Sequence, residues 1–142
     1  MPTTALRITE TVSPSAIGLF RREVACAVCE AGADEAVFDA VRLCVSEALT
    51  NVVMHAYSGQ SGLVEIAVEL EKDDVVVTVR DAGCGLGGAP EHRDGEGGGL
   101  GLGLIGKLTD RLRVTSDSDR GTEVRMAFSR NGNASAARLM SL

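Results

Sequence analysis

Residues 45–57, VSEALTNVVMHAY, read as a helix with two faces. Val45, Ala48, Leu49, Val52, Val53 and Ala56 recur at helical spacing and form an apolar stripe. Glu47, Asn51 and His55 are each four residues apart, and side chains four apart stack along one helix face. The stretch therefore lines up a carboxylate, an amide and an imidazole beside its apolar stripe. A carboxylate can take a proton from a nucleophile. An amide oxygen is a neutral hard ligand that suits Mg²⁺. Taken alone, the same pattern also describes an amphipathic helix with a solvated polar ridge.

A chain of 142 residues suits one domain able to bury about two-thirds of its unfolded surface. With 44% hydrophobic and 24% charged residues it has the composition of a globular protein. Three Phe, one Tyr and no Trp argue against base stacking on single-stranded nucleic acid. A net charge of −6 has the wrong sign for a general phosphate-backbone binder, so no direct nucleic-acid partner is expected. A polyanionic ligand would need a local site of backbone N–H groups and a metal. No charged segment followed by a long apolar run opens the sequence, and no apolar stretch reaches spanning length. A cytoplasmic protein without a membrane segment is the expectation, and Cys26, Cys29, Cys44 and Cys84 then read as thiols. Cys26 and Cys29 form a C-x-x-C inside an apolar helical pattern with no second pair, which favours buried small side chains over zinc or redox chemistry.

Going outward from the helix, residues 5–12 alternate as a strand. Ser13-Pro14 marks a helix start, and Gly32 closes that helix. Arg21 and Arg22 fall on it. Asp34 caps the next helix, which carries residues 45–57 and ends near Ser58-Gly59. Residues 63–71 and 74–81 read as a hairpin around Lys72-Asp73. A short helix over about 100–111 and strands near 112–117 and 122–129 complete the pattern. The resulting order, β-α-α-β-β-α-β-β, predicts a two-layer α+β sandwich. Helices would cover one face of a mixed, mainly antiparallel sheet. Residues 1–130 form the domain in this reading, and 131–142 a frayed tail.

Eight of the eighteen residues 82–99 are glycine. So dense a run costs backbone entropy on ordering, and long structureless segments in compact domains are commonly functional lids. Three glycine-bearing pieces bracket this segment. Asp81-Ala82-Gly83-Cys84-Gly85 ends a strand, where a carboxylate can accept from an exocyclic amine such as adenine's. Gly99-Leu100-Gly101-Leu102-Gly103 opens a helix, where free N–H groups can cradle phosphate. Gly121-Thr122 leads into the last strand, where a hydroxyl can reach a base through water. Each piece is weak alone, since both glycine patterns are common turns.

In this order, E-x-x-x-N, D-x-G-x-G, G-x-G-x-G and G-T resemble the GHKL, or Bergerat, ATP-binding fold. Within it, VSEALTNVVMHAY, VTVRDAGCGL, GLGLGLIGKLTD and GTEVRMAF look most like the bacterial anti-sigma-factor serine/threonine kinases, over about residues 5–129. The resemblance implies that Glu47 is the general base and that Asn51 holds Mg²⁺. It implies that Asp81 reads the adenine amine with support from Thr122, and that Gly83 and Gly85 make room for the base. Gly99, Leu100, Gly101 and Gly103 would wrap the ATP phosphates through their N–H groups. His55 follows the family pattern and is given a structural role at the helix end. One departure stands out. The family's phosphate-contacting arginine falls at Gly97 here, with Arg93 the nearest candidate.

The implied function is an ATP-dependent kinase that phosphorylates a STAS-type anti-sigma antagonist and binds a sigma factor, as a homodimer. A kinase-inactive anti-sigma binding module is the alternative, motivated by Gly97. A histidine-kinase catalytic half is a further one, although the first 33 residues are too short for the usual pair of dimerisation helices. Arg21 and Arg22 are the candidate contacts to an acidic sigma surface, against the simpler reading of two solvated charges.

Overall fold

The computed structural model describes residues 2–83, 102–117 and 121–142. Strand β1 (Thr3–Val12) is followed by a 3-10 turn (Pro14–Ala16) and helix α1 (Ile17–Glu30). Helix α2 (Glu35–Asn51) runs on into one π-helical turn (Val52–Ala56). The hairpin β2 (Gly62–Glu71) and β3 (Asp74–Asp81) comes next. Helix α3 (Leu102–Leu108), strands β4 (Arg111–Asp117) and β5 (Gly121–Ser129) and helix α4 (Asn133–Met140) complete the chain. This is the α+β sandwich that the sequence predicts, with one further helix and with a sheet that is antiparallel among the described strands rather than mixed.

The sheet order is β1-β2-β3-β5-β4, and every described pairing is antiparallel. Strands β3 and β4 both oppose β5, so they point the same way. A same-direction return needs a crossover, and α3 lies on it. That topology gathers the C-terminal end of β3, the start of β5 and the end of α2 at one edge of the molecule.

The β-branched run Val75-Val76-Val77-Thr78-Val79 makes β3 a central strand. Val75, Val77 and Val79 face the helices with Ile66, Val68, Met126 and Phe128 from the neighbouring strands. Against them α2 lays Val37, Val41, Cys44, Val45, Ala48 and Leu49, spaced at three and four residues and buried. The outer sheet face is charged: Arg125 meets Glu71 at 2.7 Å and Arg80 meets Glu123 at 3.8 Å. Such accessible pairs contribute little to stability.

Four local expectations are corrected. Residues 133–140 are not a frayed tail but α4, packed on α2, α3 and β5. Arg138 donates to Asp110 at 2.8 Å, and the Gly132 N–H donates to Asp34 Oδ2 at 2.7 Å. That second bond explains why Asp34 makes no side-chain cap on α2, although it sits at the capping position. Cys26 and Cys29 are exposed rather than buried, because α1 turns its Val24, Ala27 and Val28 inward and the cysteines fall on the opposite side. Arg21 is half-buried and donates to Ser46 Oγ on α2 at 3.2 Å, so it is no free solvated charge, while Arg22 is exposed. Gly32 closes α1 as expected, at φ +88°.

Among the described residues no helix is long and apolar enough to cross a membrane, and no group of three His, Cys, Asp or Glu side chains forms a metal cluster.

Candidate functional site

The helix of residues 45–57 does not stay α-helical to its end. The Tyr57 N–H reaches back five residues to Val52 O at 3.2 Å, where an α-helix would reach four. The extra residue widens the last turn. Asn51, Val52, His55 and Ala56 come to line one side of a small, narrow cavity of about 30 Å³. Val79 and Asp81 of β3, Leu102 of α3, Val114 of β4 and Thr122 and Val124 of β5 line the rest. The walls are apolar and the polar groups few, which is the usual make-up of a small-ligand site. His55 lies on the cavity wall beside Asn51, whereas the sequence reading gives it a structural role at the helix end.

Asp81 is the buried carboxylate of this site, 5% exposed. Its Oδ1 accepts from the Gly83 N–H at 2.9 Å and from the Thr122 N–H at 3.2 Å. The second bond joins β3 to the start of β5 across 41 residues. Both donors meet the same oxygen, so these hydrogen bonds among the described residues fall on Oδ1 and not on Oδ2. Burial raises the carboxyl above its ordinary range, and the two N–H donors partly offset this.

Gly121 explains the close approach. It sits at φ +92°, and a Cβ there would lie 2.2 Å from Asp81 O and 2.7 Å from Asp81 Oδ1. Gly83 is equally confined, since a Cβ would meet Ala56 O and Ala56 Cβ at 2.7 Å. Thr122, besides its backbone bond to Asp81, shares a 3.2 Å hydroxyl contact with Ser116. Asn51 lines the same cavity as Asp81. Glu47 is half-buried one helical turn before Asn51 and lies outside the cavity lining. The burial of Cys44, and secondarily the Glu47 charge, push its thiol up to about 12, so Cys44 is an inert core group.

Of the residues singled out from sequence, Asn51, Asp81 and Thr122 come together at the cavity, with Gly83 bonded to Asp81. Gly103 lies in the first turn of α3, half-buried. Gly85, Gly99, Leu100 and Gly101, with Cys84, Arg93 and Gly97, lie outside the described residues. Sequence reasoning missed the apolar walls at Val79, Leu102, Val114 and Val124. It also missed Gly121 as a steric requirement and Tyr57, the one tyrosine of the chain.

The raised Asp81 carboxyl has opposite consequences for the free and liganded protein. A group whose folded pKa is raised binds protons more readily folded than unfolded, so the free protein gains stability as pH falls through the raised value. A ligand that donates to Asp81, as the sequence resemblance implies for an adenine amine, is held more strongly by the ionised than by the protonated carboxyl. Nucleotide affinity is therefore expected to weaken on acidification before an ordinary aspartate would titrate. Nucleotide titration calorimetry between about pH 8 and pH 4 checks this, and affinity that stays flat until the ordinary carboxylate range would contradict it.

Residues 11–128 match the family described as the histidine kinase-like ATPase domain. The anti-sigma F factor of Pasteuria penetrans is 33% identical over 96 residues, which cover 61% of this chain and 64% of that protein. The chain thus spans slightly less than two thirds of that relative's length. The anti-sigma F factor of a Bacillus cereus strain is 33% identical over 104 residues, covering 66% of this chain and 71% of that one. Among solved structures, that of the RsbU and RsbW domains of a Mycobacterium tuberculosis protein superposes with a TM-score of 0.68 at 23% identity. It covers 91% of this chain and 32% of that one, and at this identity it speaks for the fold alone.

Proposed function

The chain belongs to the histidine kinase-like ATPase domain family, with anti-sigma F factors among its relatives; from that premise we propose that it is an ATP-dependent protein serine/threonine kinase. In this reading it acts in the cytoplasm as a homodimer, binds a sigma factor, and phosphorylates a STAS-type antagonist of its own anti-sigma activity. The observation that carries the nucleotide part is the Asp81 carboxylate, buried at an apolar cavity with two N–H donors gathered on Oδ1.

The residues present fit ATP and Mg²⁺. Asp81 Oδ2 is the acceptor for the adenine amine, and Val79, Val114 and Val124 supply apolar surface for the ring. Thr122 supports Asp81 through its N–H. Asn51 is the residue that would hold Mg²⁺, whose role when bound is to balance phosphate charge. Glu47, one turn away, accepts the proton of the attacking hydroxyl. Phosphoryl transfer asks the protein chiefly to position groups and balance charge, so a site with one base, one metal and many backbone amides would suffice.

Glu47→Gln separates binding from chemistry. ATP affinity is expected to hold within about threefold, while phosphate transfer to a serine-bearing STAS partner falls by about 10²–10⁴. Transfer that survives the substitution removes Glu47 as the base. The second reading, an ATP-binding anti-sigma module without kinase activity, is motivated by Gly97 in place of the arginine. Wild-type protein that binds ATP and a sigma factor but labels no antagonist would favour it.

A further inference from the structure

Strand β2 extends two residues beyond its last pair with β3. Val64 pairs with Asp81, whereas Leu63 and Gly62 pair only with Thr11 and Val12 of β1. The place of the next β2–β3 rung is taken by a side chain. The Tyr57 hydroxyl donates to Leu63 O at 2.6 Å and accepts from the Ala82 N–H at 3.0 Å. Its ring lies so close over Gly62 that a Cβ there would stand 2.2–2.3 Å from ring carbons. The preceding residue, Ala56, meets Gly83 nearly as closely. The end of the π turn is thus wedged between the two strands where β3 stops.

We propose that Tyr57 is a positioning residue for nucleotide recognition. Its hydroxyl replaces a sheet rung, lets the chain leave β2 immediately after Asp81, and holds the Ala82 peptide so that the Gly83 N–H meets Asp81 Oδ1. Three consecutive residues are then held: Ala82 by the tyrosine, Gly83 by Asp81, and Asp81 by Gly83 and Thr122. The carboxylate has two oxygens and one must face the ligand, so the peptide that fixes which oxygen is occupied also fixes the acceptor offered to adenine. A direct Leu63–Ala82 rung would continue the strand and carry Gly83 away from the Asp81 side chain. The π turn has a purpose in this arrangement, since it is what swings Tyr57 from the helix to the sheet end.

The inference rests on the reading of the cavity as a nucleotide site, and the experiment separates the two. Tyr57→Phe keeps the ring over Gly62 and removes only the hydroxyl. Four titrations compare ATP with purine riboside triphosphate, which lacks the 6-amino group, on wild type and variant. The variant is expected to bind ATP about five- to tenfold more weakly while the amine-less analogue changes less than about twofold, so that discrimination collapses. Amide exchange on the free variant is expected to quicken at Ala82 and Gly83 with Val77 and Val79 unchanged. A variant that discriminates as wild type does, or that loses both ligands equally, overturns the positioning role. Unchanged exchange at Ala82 overturns the tether itself. Wild type that binds ATP and the analogue equally overturns the assignment of Asp81 as amine reader, and the positioning role with it, even where the exchange result stands.

Discussion

Asp81→Asn is expected to abolish nucleotide binding, with at least about a hundredfold loss of ATP affinity, while the fold survives. The geometry makes both halves of that statement. An asparagine oxygen can accept the Gly83 and Thr122 N–H bonds as Oδ1 does now. Its NH₂ then occupies the Oδ2 position and presents a donor to the donor of adenine. Two donors facing each other in a buried site leave both unsatisfied, which costs far more than losing one exposed bond. The free protein loses a carboxylate that burial already disfavours in its charged form, so its melting temperature should hold or rise. Titration calorimetry of ATP with and without Mg²⁺, paired with thermal denaturation, tests both parts. Binding that persists in the variant would show that the adenine is read elsewhere. A variant that no longer melts cooperatively would show Asp81 to be a structural strut.

The second large effect is expected at Gly121. Alanine there must adopt φ +92° and must place its Cβ 2.2 Å from a backbone oxygen, which no side-chain rotation can relieve. Left-handed backbone costs a non-glycine residue about 1–2 kcal/mol, and overpacking a rigid neighbour adds about 1–3 kcal/mol. Gly121→Ala should lower the melting temperature by on the order of 10 °C and, by pushing β5 from β3, break the Thr122–Asp81 bond and nucleotide binding together. Gly18→Ala is the control. Its Cβ would meet only Arg21 Nη2, at 3.6 Å, in the first turn of α1, where alanine is the better helix former. That substitution should leave stability unchanged or raise it by up to about 1 kcal/mol. Gly121→Ala that melts and binds as Gly18→Ala does would mean that the β3–β5 edge is plastic.

Local chemistry is what the amino-acid order encodes legibly. Residues 35–51 carry apolar side chains at three and four residue intervals, so α2 and its buried face are readable from periodicity alone. The valine run of β3 and the Lys72-Asp73 turn, with Lys72 at φ +53°, are readable for the same reason. Glu47, Asn51, Asp81 and Thr122 are legible as a set because each motif is short, and the family likeness follows from their order. The remainder depends on the folded chain, and in each case the deciding contact joins residues far apart in sequence. The π turn that ends α2 is followed by Tyr57, whose hydroxyl meets the sheet end 25 residues on at Ala82. The tail folds as α4 because Asp34 and Asp110 receive it, 98 and 28 residues back from their partners. Gly121 is obligatory because Asp81 lies beneath it. A periodic pattern reports how a segment meets solvent and core, but it carries no record of which distant backbone atom will occupy the space of a missing Cβ or the next rung of a sheet.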